Sequence, residues 1–220
     1  MAKRTQTKRK SSSSTRKGRT ATTARRKTSS RSTARRSTSR PGRRSRLTIT
    51  PAMRKVAREM SQMMSEKTVP ADAIALLKQD HREVEALFEQ FEHLESNAEK
   101  AAMAAKICLM LKVHAKIEEE LLYPAAQDES DTVEEDLVDE AIVEHASAKQ
   151  LIAEIEKMKP SEDLYDAKVK VLGEYVKHHV KEEENELFPQ LQQSDLDLHE
   201  MGRELMERKL ELLMQMTSRA

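Results

Sequence analysis

The stretch HAKIEEELLYP, His114 to Pro124, returns 65 positions later as HVKEEENELFP, His179 to Pro189. A second pair of stretches matches upstream: QDHREVEALFEQF at 79–91 against VEHASAKQLIAEI at 143–155, offset by 64. A chain that repeats itself folds as like units, each too small to bury its apolar face alone. Here each unit reads as two long helices joined by a short link, a helical hairpin. Two such hairpins, related by an approximate two-fold axis, close into a four-helix bundle.

Local signals support the same architecture. Thr50 stands as an N-cap before Pro51 at the first helical position, which predicts a short helix there. Long periodic segments run over about 71–94, 98–123, 132–159 and 161–188, the second and fourth stopping near Pro124 and Pro189. Asp131 and Glu134 have capping-box spacing before the third. These four helices are roughly 24 to 28 residues long, or about 36 to 42 Å at 1.5 Å per residue. Their short links favour antiparallel neighbours. A further amphipathic segment covers about 196–216, and β-branched alternation is absent. The fold class expected is all-α, an up-down-up-down four-helix bundle with extra flanking helices.

The net charge of +1 conceals a division. Residues 1–46 carry 18 Lys or Arg and no Asp or Glu, so the rest holds 39 − 18 = 21 basic against 38 acidic residues. A Ser/Thr/Arg/Lys tract with almost nothing to bury is expected to be a disordered arm. The organisation expected is this arm, a flanking helix at 47–69, the bundle at 70–191 and a C-terminal helix at 192–220. The single cysteine, Cys108, allows no intramolecular disulfide and fits a reducing, cytoplasmic setting. Its apolar neighbours predict a buried thiol. No apolar run is long enough to cross a membrane, and the N-terminus lacks the apolar core of a secretory signal.

Placing the polar residues on helix faces exposes an anomaly. The stripe Ile74, Leu77, Val84, Phe88, Phe91 is continuous only if His81 lies in it, and His145 falls likewise among Val138, Ile142, Ile152 and Ile155. His114 and Glu118, four apart, share a face with Ile107, Leu111 and Leu121. His179 and Glu183 repeat this beside Leu172, Tyr175 and Leu187. Four imidazoles and two carboxylates therefore point into an apolar bundle, where unpaired charge is too costly to persist. A lone core histidine is usually satisfied by a hydrogen bond, and one HxxxE on an acidic helix says little. The conjunction says more: both pairs end in an aromatic-Pro step, and both follow a core histidine by 33 or 34 residues. Such a cluster implies metal. Nitrogen and oxygen donors without thiolate suit iron or manganese, with zinc an alternative. Two ions fit best, His81 and His114 on one, His145 and His179 on the other, with Glu118 and Glu183 spanning both. The repeat selects His179 over His178. His93 and His199 read as surface residues, and Tyr175 as core packing.

These residues resemble the hemerythrin-like family, specifically its HHE cation-binding domain. The resemblance rests on DHR at 80–82, HAKIEEELLYP, EH at 144–145 and HVKEEENELFP, and covers about residues 72–191. It implies a non-haem di-iron centre with His81, His114, Glu118, His145, His179 and Glu183 as ligands. It also implies a small ligand at the metals: dioxygen, peroxide or nitric oxide. Oxygen-carrying members have a further histidine four residues before the position of His145; here that residue is Ala141. One imidazole fewer leaves room for water or an exogenous ligand. That points away from simple oxygen carriage, toward sensing, iron binding or peroxide chemistry. The alternatives are a di-iron enzyme with peroxidatic or catalase-like activity, or a DNA-associated protein in which the bundle is mainly structural. The arm suggests salt-dependent, sequence-independent binding of nucleic acid through phosphates.

Overall fold

In the computed structural model, residues 50–66, 71–129 and 131–218 are described; the basic arm lies outside them. Their regular structure is entirely helical. Helix α1 (Pro51–Glu66) starts as expected, the amide of Met53 donating to Thr50 Oγ1 at 3.2 Å. Asp72 caps α2 (Ala73–Glu92), accepting from the Ala75 amide at 2.8 Å. Next come α3 (Asn97–Ile117), a π-helical turn (Glu118–Leu122) and α4 (Tyr123–Asp128). The second half repeats the plan with α5 (Glu135–Ile155), α6 (Tyr165–Glu182), a π-helical turn (Glu183–Leu187) and α7 (Phe188–Leu191). Helix α8 (Leu198–Ser218) is the last described element.

Helices α2, α3, α5 and α6 form the four-helix bundle: α2 neighbours α3 and α6, and α5 neighbours the same two. Fully buried residues such as Leu77, Ile107, Ile117, Ile152 and Leu172 fill it from all four. Outside it, α8 packs on α2 and α3, and α1 packs on α8 and α3. One half of the bundle thus gains a cover of two helices. The contact is close: a Cβ on Gly202 of α8 would lie 2.7 Å from Ala73 N and from the carbonyl carbon of Asp72. Only glycine lets α8 cross the start of α2 at this distance.

Several local expectations are corrected. The second bundle helix does not stop near Pro124 but runs on to Asp128, whereas the fourth ends at Leu191, two residues past Pro189. Each passes through a π-helical turn and resumes with the proline in its first turn, where the missing N–H is not needed. Asp131 does not cap α5; Glu134 precedes it, without a side-chain cap, and its amide donates to Gln190 Oε1 at 2.8 Å. Helix α6 begins at Tyr165 because Leu164, at φ 69°, is left-handed. Ile142 is exposed, since Ala141, three after Val138 and four before His145, takes the inward position. Tyr175 is half exposed for the same reason: Val176 is the residue turned inward. Cys108 is buried as expected, and burial pushes its thiol up to about 12.

Candidate metal centre

Each bundle helix contributes one buried histidine: His81 from α2, His114 from α3, His145 from α5 and His179 from α6. Glu118 and Glu183 open the two π-helical turns and are almost wholly buried. The structure brings all six residues together. His81 Nε2 lies 3.2 Å from His114 Nε2, and His145 Nε2 lies 3.1 Å from His179 Nε2. Glu118 reaches both pairs, Oε1 at 3.2 Å from His114 Nε2 and Oε2 at 3.5 Å from His145 Nε2. Glu183 Oε2 does the same, 3.3 Å from His81 Nε2 and 3.5 Å from His179 Nε2.

Behind the histidines stands a second ring of carboxylates. His81 Nδ1 meets Glu184 at 2.8 Å, His145 Nδ1 meets Glu119 at 3.1 Å and His179 Nδ1 meets Glu144 at 2.8 Å. His114 Nδ1 faces Asp80 more loosely, at 3.5 Å. A carboxylate at Nδ1 selects the tautomer protonated there and leaves a lone pair on Nε2. For His81, His145 and His179 this turns the Nε2 lone pair toward the two short gaps, while His114 Nδ1 has no hydrogen bond. Both oxygens of Glu118 and Oε2 of Glu183 are buried without a hydrogen-bond donor. Acceptors crowded together in a dry interior are strongly unfavourable unless a cation lies among them. The donor set therefore fits metal: His81, His114, Glu118 and Glu183 form one group able to hold an ion, and Glu118, His145 and His179 another.

The electrostatics agree. Burial, aided by the charge of Glu183, pushes the carboxyl of Glu118 well up. Burial opposes ionisation of Glu183 too, but the neighbouring imidazoles, His179 above all, hold it below the usual carboxylate range. Burial lowers His114 to about 4 and also lowers His145, keeping both neutral and able to donate. His179 is the exception: burial lowers it, but Glu183 and Glu144 outweigh this and raise it.

The π-helical turns add something the periodicity did not show. The amide of Tyr123 closes its turn on the carbonyl of Glu118, and that of Phe188 on Glu183. The aromatic residue of each repeated phrase is thereby brought to the centre. Tyr123 donates from its hydroxyl to Glu183 Oε1 at 2.9 Å, and its ring packs on His145 at 5.4 Å. Phe188 stacks on His81 at 5.9 Å with no hydroxyl to offer. The two halves therefore differ chemically.

The second ring and Tyr123 were missed as functional residues by sequence reasoning, although the repeat carried a signal. Asp80 and Glu144 immediately precede its first histidine, and Glu119 and Glu184 immediately follow its glutamate. Lys209 of α8, which pairs with Asp80 in a buried contact, had no such signal. It also lines, with Met60 of α1, a mostly apolar cavity of about 40 Å³ beside the four histidines. His93 and His199 are exposed, as expected, His199 Nδ1 meeting the carbonyl of Ala71 at 2.6 Å, and His178 is exposed too.

A helical bundle with a buried His/Glu cluster able to hold metal defines the class of protein. The family model described as hemerythrin HHE cation binding domain matches residues 72–191, and the chain belongs to that family. A crystal structure of a hemerythrin HHE cation binding domain-containing protein from Mycobacterium kansasii superposes with a TM-score of 0.56. It is 23% identical, and the match covers 66% of this chain and 88% of that one. A protein of Nostoc sp. (strain PCC 7120 / SAG 25.82 / UTEX 2576) named DNA nickase is 31% identical over 116 residues. The match takes in 51% of this chain and 31% of that relative's length. Among the described residues no helix is long and apolar enough to cross a membrane.

Proposed function

We propose that the chain binds two iron ions in its bundle, held by His81, His114, Glu118, His145, His179 and Glu183, and uses them to bind or sense a small ligand. Dioxygen, peroxide and nitric oxide are the candidates. The observation that carries this reading is the pair of short Nε2 to Nε2 approaches, 3.2 and 3.1 Å, between imidazoles whose Nδ1 atoms face carboxylates. Two gaps, each bordered by lone pairs and both reached by Glu118 and Glu183, suit two ions better than one. Oxygen and nitrogen donors without thiolate suit iron, and manganese or zinc next. Bound iron would supply Lewis acidity and redox chemistry. The protein's part is to orient the imidazoles through the second carboxylates, to exclude water, and to offer an apolar cavity large enough for a diatomic or similarly small molecule.

Elemental analysis of the purified chain tests the reading and separates the metals. About two iron atoms per chain are expected, falling close to zero in His114→Ala with the helical content intact. Full metal content in that variant refutes the ligand set, and manganese or zinc in place of iron refutes the di-iron assignment.

A separate observation favours nucleic acid as a partner. Residues 1–46 hold 18 basic and no acidic residues, and the Nostoc relative is named for an action on DNA. Binding to phosphates through this arm would weaken steeply with salt and ignore base sequence. DNA binding that survives deletion of residues 1–46 refutes the arm's role.

A further inference from the structure

The carboxylates behind the histidines are not equally neutralised. Glu184 receives two bonds from Arg82, at 2.6 and 2.5 Å. Glu119 pairs with Lys149, and Asp80 with Lys209. Glu144 alone has no Lys or Arg partner among the described residues; its Oε2 serves His179, and its Oε1 lies 3.5 Å from His178 Nε2. Close by, His178 Nε2 is 3.0 Å from Glu182 Oε1. Glu144, His178 and Glu182 can turn one ligand atom each toward a common point.

The internal repeat shows what belongs there. At offsets of 64 and 65, Glu144, His178 and Glu182 correspond to Asp80, Val113 and Ile117. In that first half Val113 and Ile117 are fully buried, and Lys209 from α8 brings an ammonium to Asp80. In the second half the corresponding positions are occupied by an imidazole, 60% exposed, and a second carboxylate. One half carries its own cation in Lys209, and among the described residues no Lys or Arg takes that place in the other.

Two of these residues, Glu144 and Glu182, also border a cleft beside the centre. A small cleft is lined by Glu140, Ala141, Glu144 and Glu182 together with the buried His179 and Glu183. His179 and Glu183 line this cleft and also belong to the central cluster, so the cleft adjoins the buried site. The methyl side chain of Ala141 keeps the cleft open where a larger residue would fill it.

We propose that Glu144, His178 and Glu182 bind a hydrated divalent cation at the mouth of this cleft and pass it to the buried cluster. The site rests on the metal-centre reading and adds a route to it. Two carboxylates and an imidazole suit the borderline divalent metals that the cluster itself would take. Exposure keeps the hold weak, as transfer requires, and the acidic rim raises the local cation concentration.

Uptake kinetics test it, with Co²⁺ as the probe. The full-length chain is stripped with a chelator and Co²⁺ is added at limiting concentration. Visible absorption follows the filling of the nitrogen-rich cluster, and elemental analysis after desalting gives the final content. The double variant His178→Ala, Glu182→Gln should fill roughly 10-fold more slowly than wild type, the scale of electrostatic concentration at a charged cleft. Its final content should equal wild type, and the lag should vanish at millimolar Co²⁺. Glu89→Gln, on a different face of the bundle, should fill at the wild-type rate. Glu144 is left intact because it also holds His179. An unchanged rate in the double variant overturns the proposal, as does a loss of final content, which would make these residues part of the buried cluster. Wild type that takes up no Co²⁺ refutes the metal centre itself, and the loading route with it, before any variant is compared.

Discussion

Replacing Lys209 with Met probes how far the outer helices are committed to the centre. Lys209 and Asp80 are both nearly buried, and they pair directly. Burial works against ionised Asp80, but Lys209, with help from His114, holds its carboxyl at about 2 against an ordinary 3.8. That difference corresponds to about 2 kcal/mol in favour of the ionised form. Without Lys209 the burial is largely unopposed, so the loss should exceed this figure and reach about 3–5 kcal/mol, as for other buried pairs deprived of one partner. Urea unfolding of the metal-free chain measures it.

The pH dependence carries a sign that packing loss alone cannot mimic. In wild type the folded value of Asp80 is depressed, so its contribution is fully present above about 3.8 and lost as pH falls through about 2. In Lys209→Met, burial should lift Asp80 above its unfolded value. The penalty is then full at neutral pH and relieved as pH falls through the raised folded value toward 3.8. The gap between variant and wild type should therefore narrow on acidification. Asp80→Asn in the same chain should recover most of the loss at neutral pH, and a double-mutant cycle isolates the pair. A variant within about 1 kcal/mol of wild type, below the range for broken buried pairs, refutes the reasoning. So does a gap that stays constant with pH.

Two further outcomes follow from particular contacts. Tyr123→Phe removes the one hydroxyl donated to Glu183 among the described residues and keeps the ring, which Phe188 shows the site accepts. A loss of about 1–3 kcal/mol is expected in the metal-free chain, with a shifted visible spectrum of the Co²⁺ form; neither change would mean that the hydroxyl is idle. Gly202→Ala sets a methyl 2.7 Å from backbone atoms of Asp72 and Ala73, which cannot swing aside. Thermal unfolding should show a loss of about 1–3 kcal/mol, and a neutral substitution would contradict the close crossing of α8 over α2.

The repeat alone was enough to place four histidines and two glutamates on the inward faces of paired hairpins, because helical spacing and two-fold correspondence are properties of the linear pattern. That pattern also chose His179 over His178, and the structure buries the first and exposes the second. It did not place Ile142 or Tyr175 correctly, because a stripe drawn by hydrophobicity cannot tell Ala141 and Val176 from their larger neighbours when facing helices leave only a narrow space. The prolines misled for a related reason: they mark the start of a new helical segment as readily as the end of one, and the π-helical turns before them have no periodic signature.

What the sequence determined by itself is the identity and symmetry of the inward cluster, since that depends on spacing within single helices. What only the tertiary structure decided is how the two halves differ. Tyr123 reaches Glu183 across 60 residues, and Lys209 reaches Asp80 across 129. The cover of α1 and α8 falls on one half and leaves His178 of the other exposed, with Glu144 and Glu182 partly so. Such contacts depend on where separate helices meet in space, and no local period encodes that.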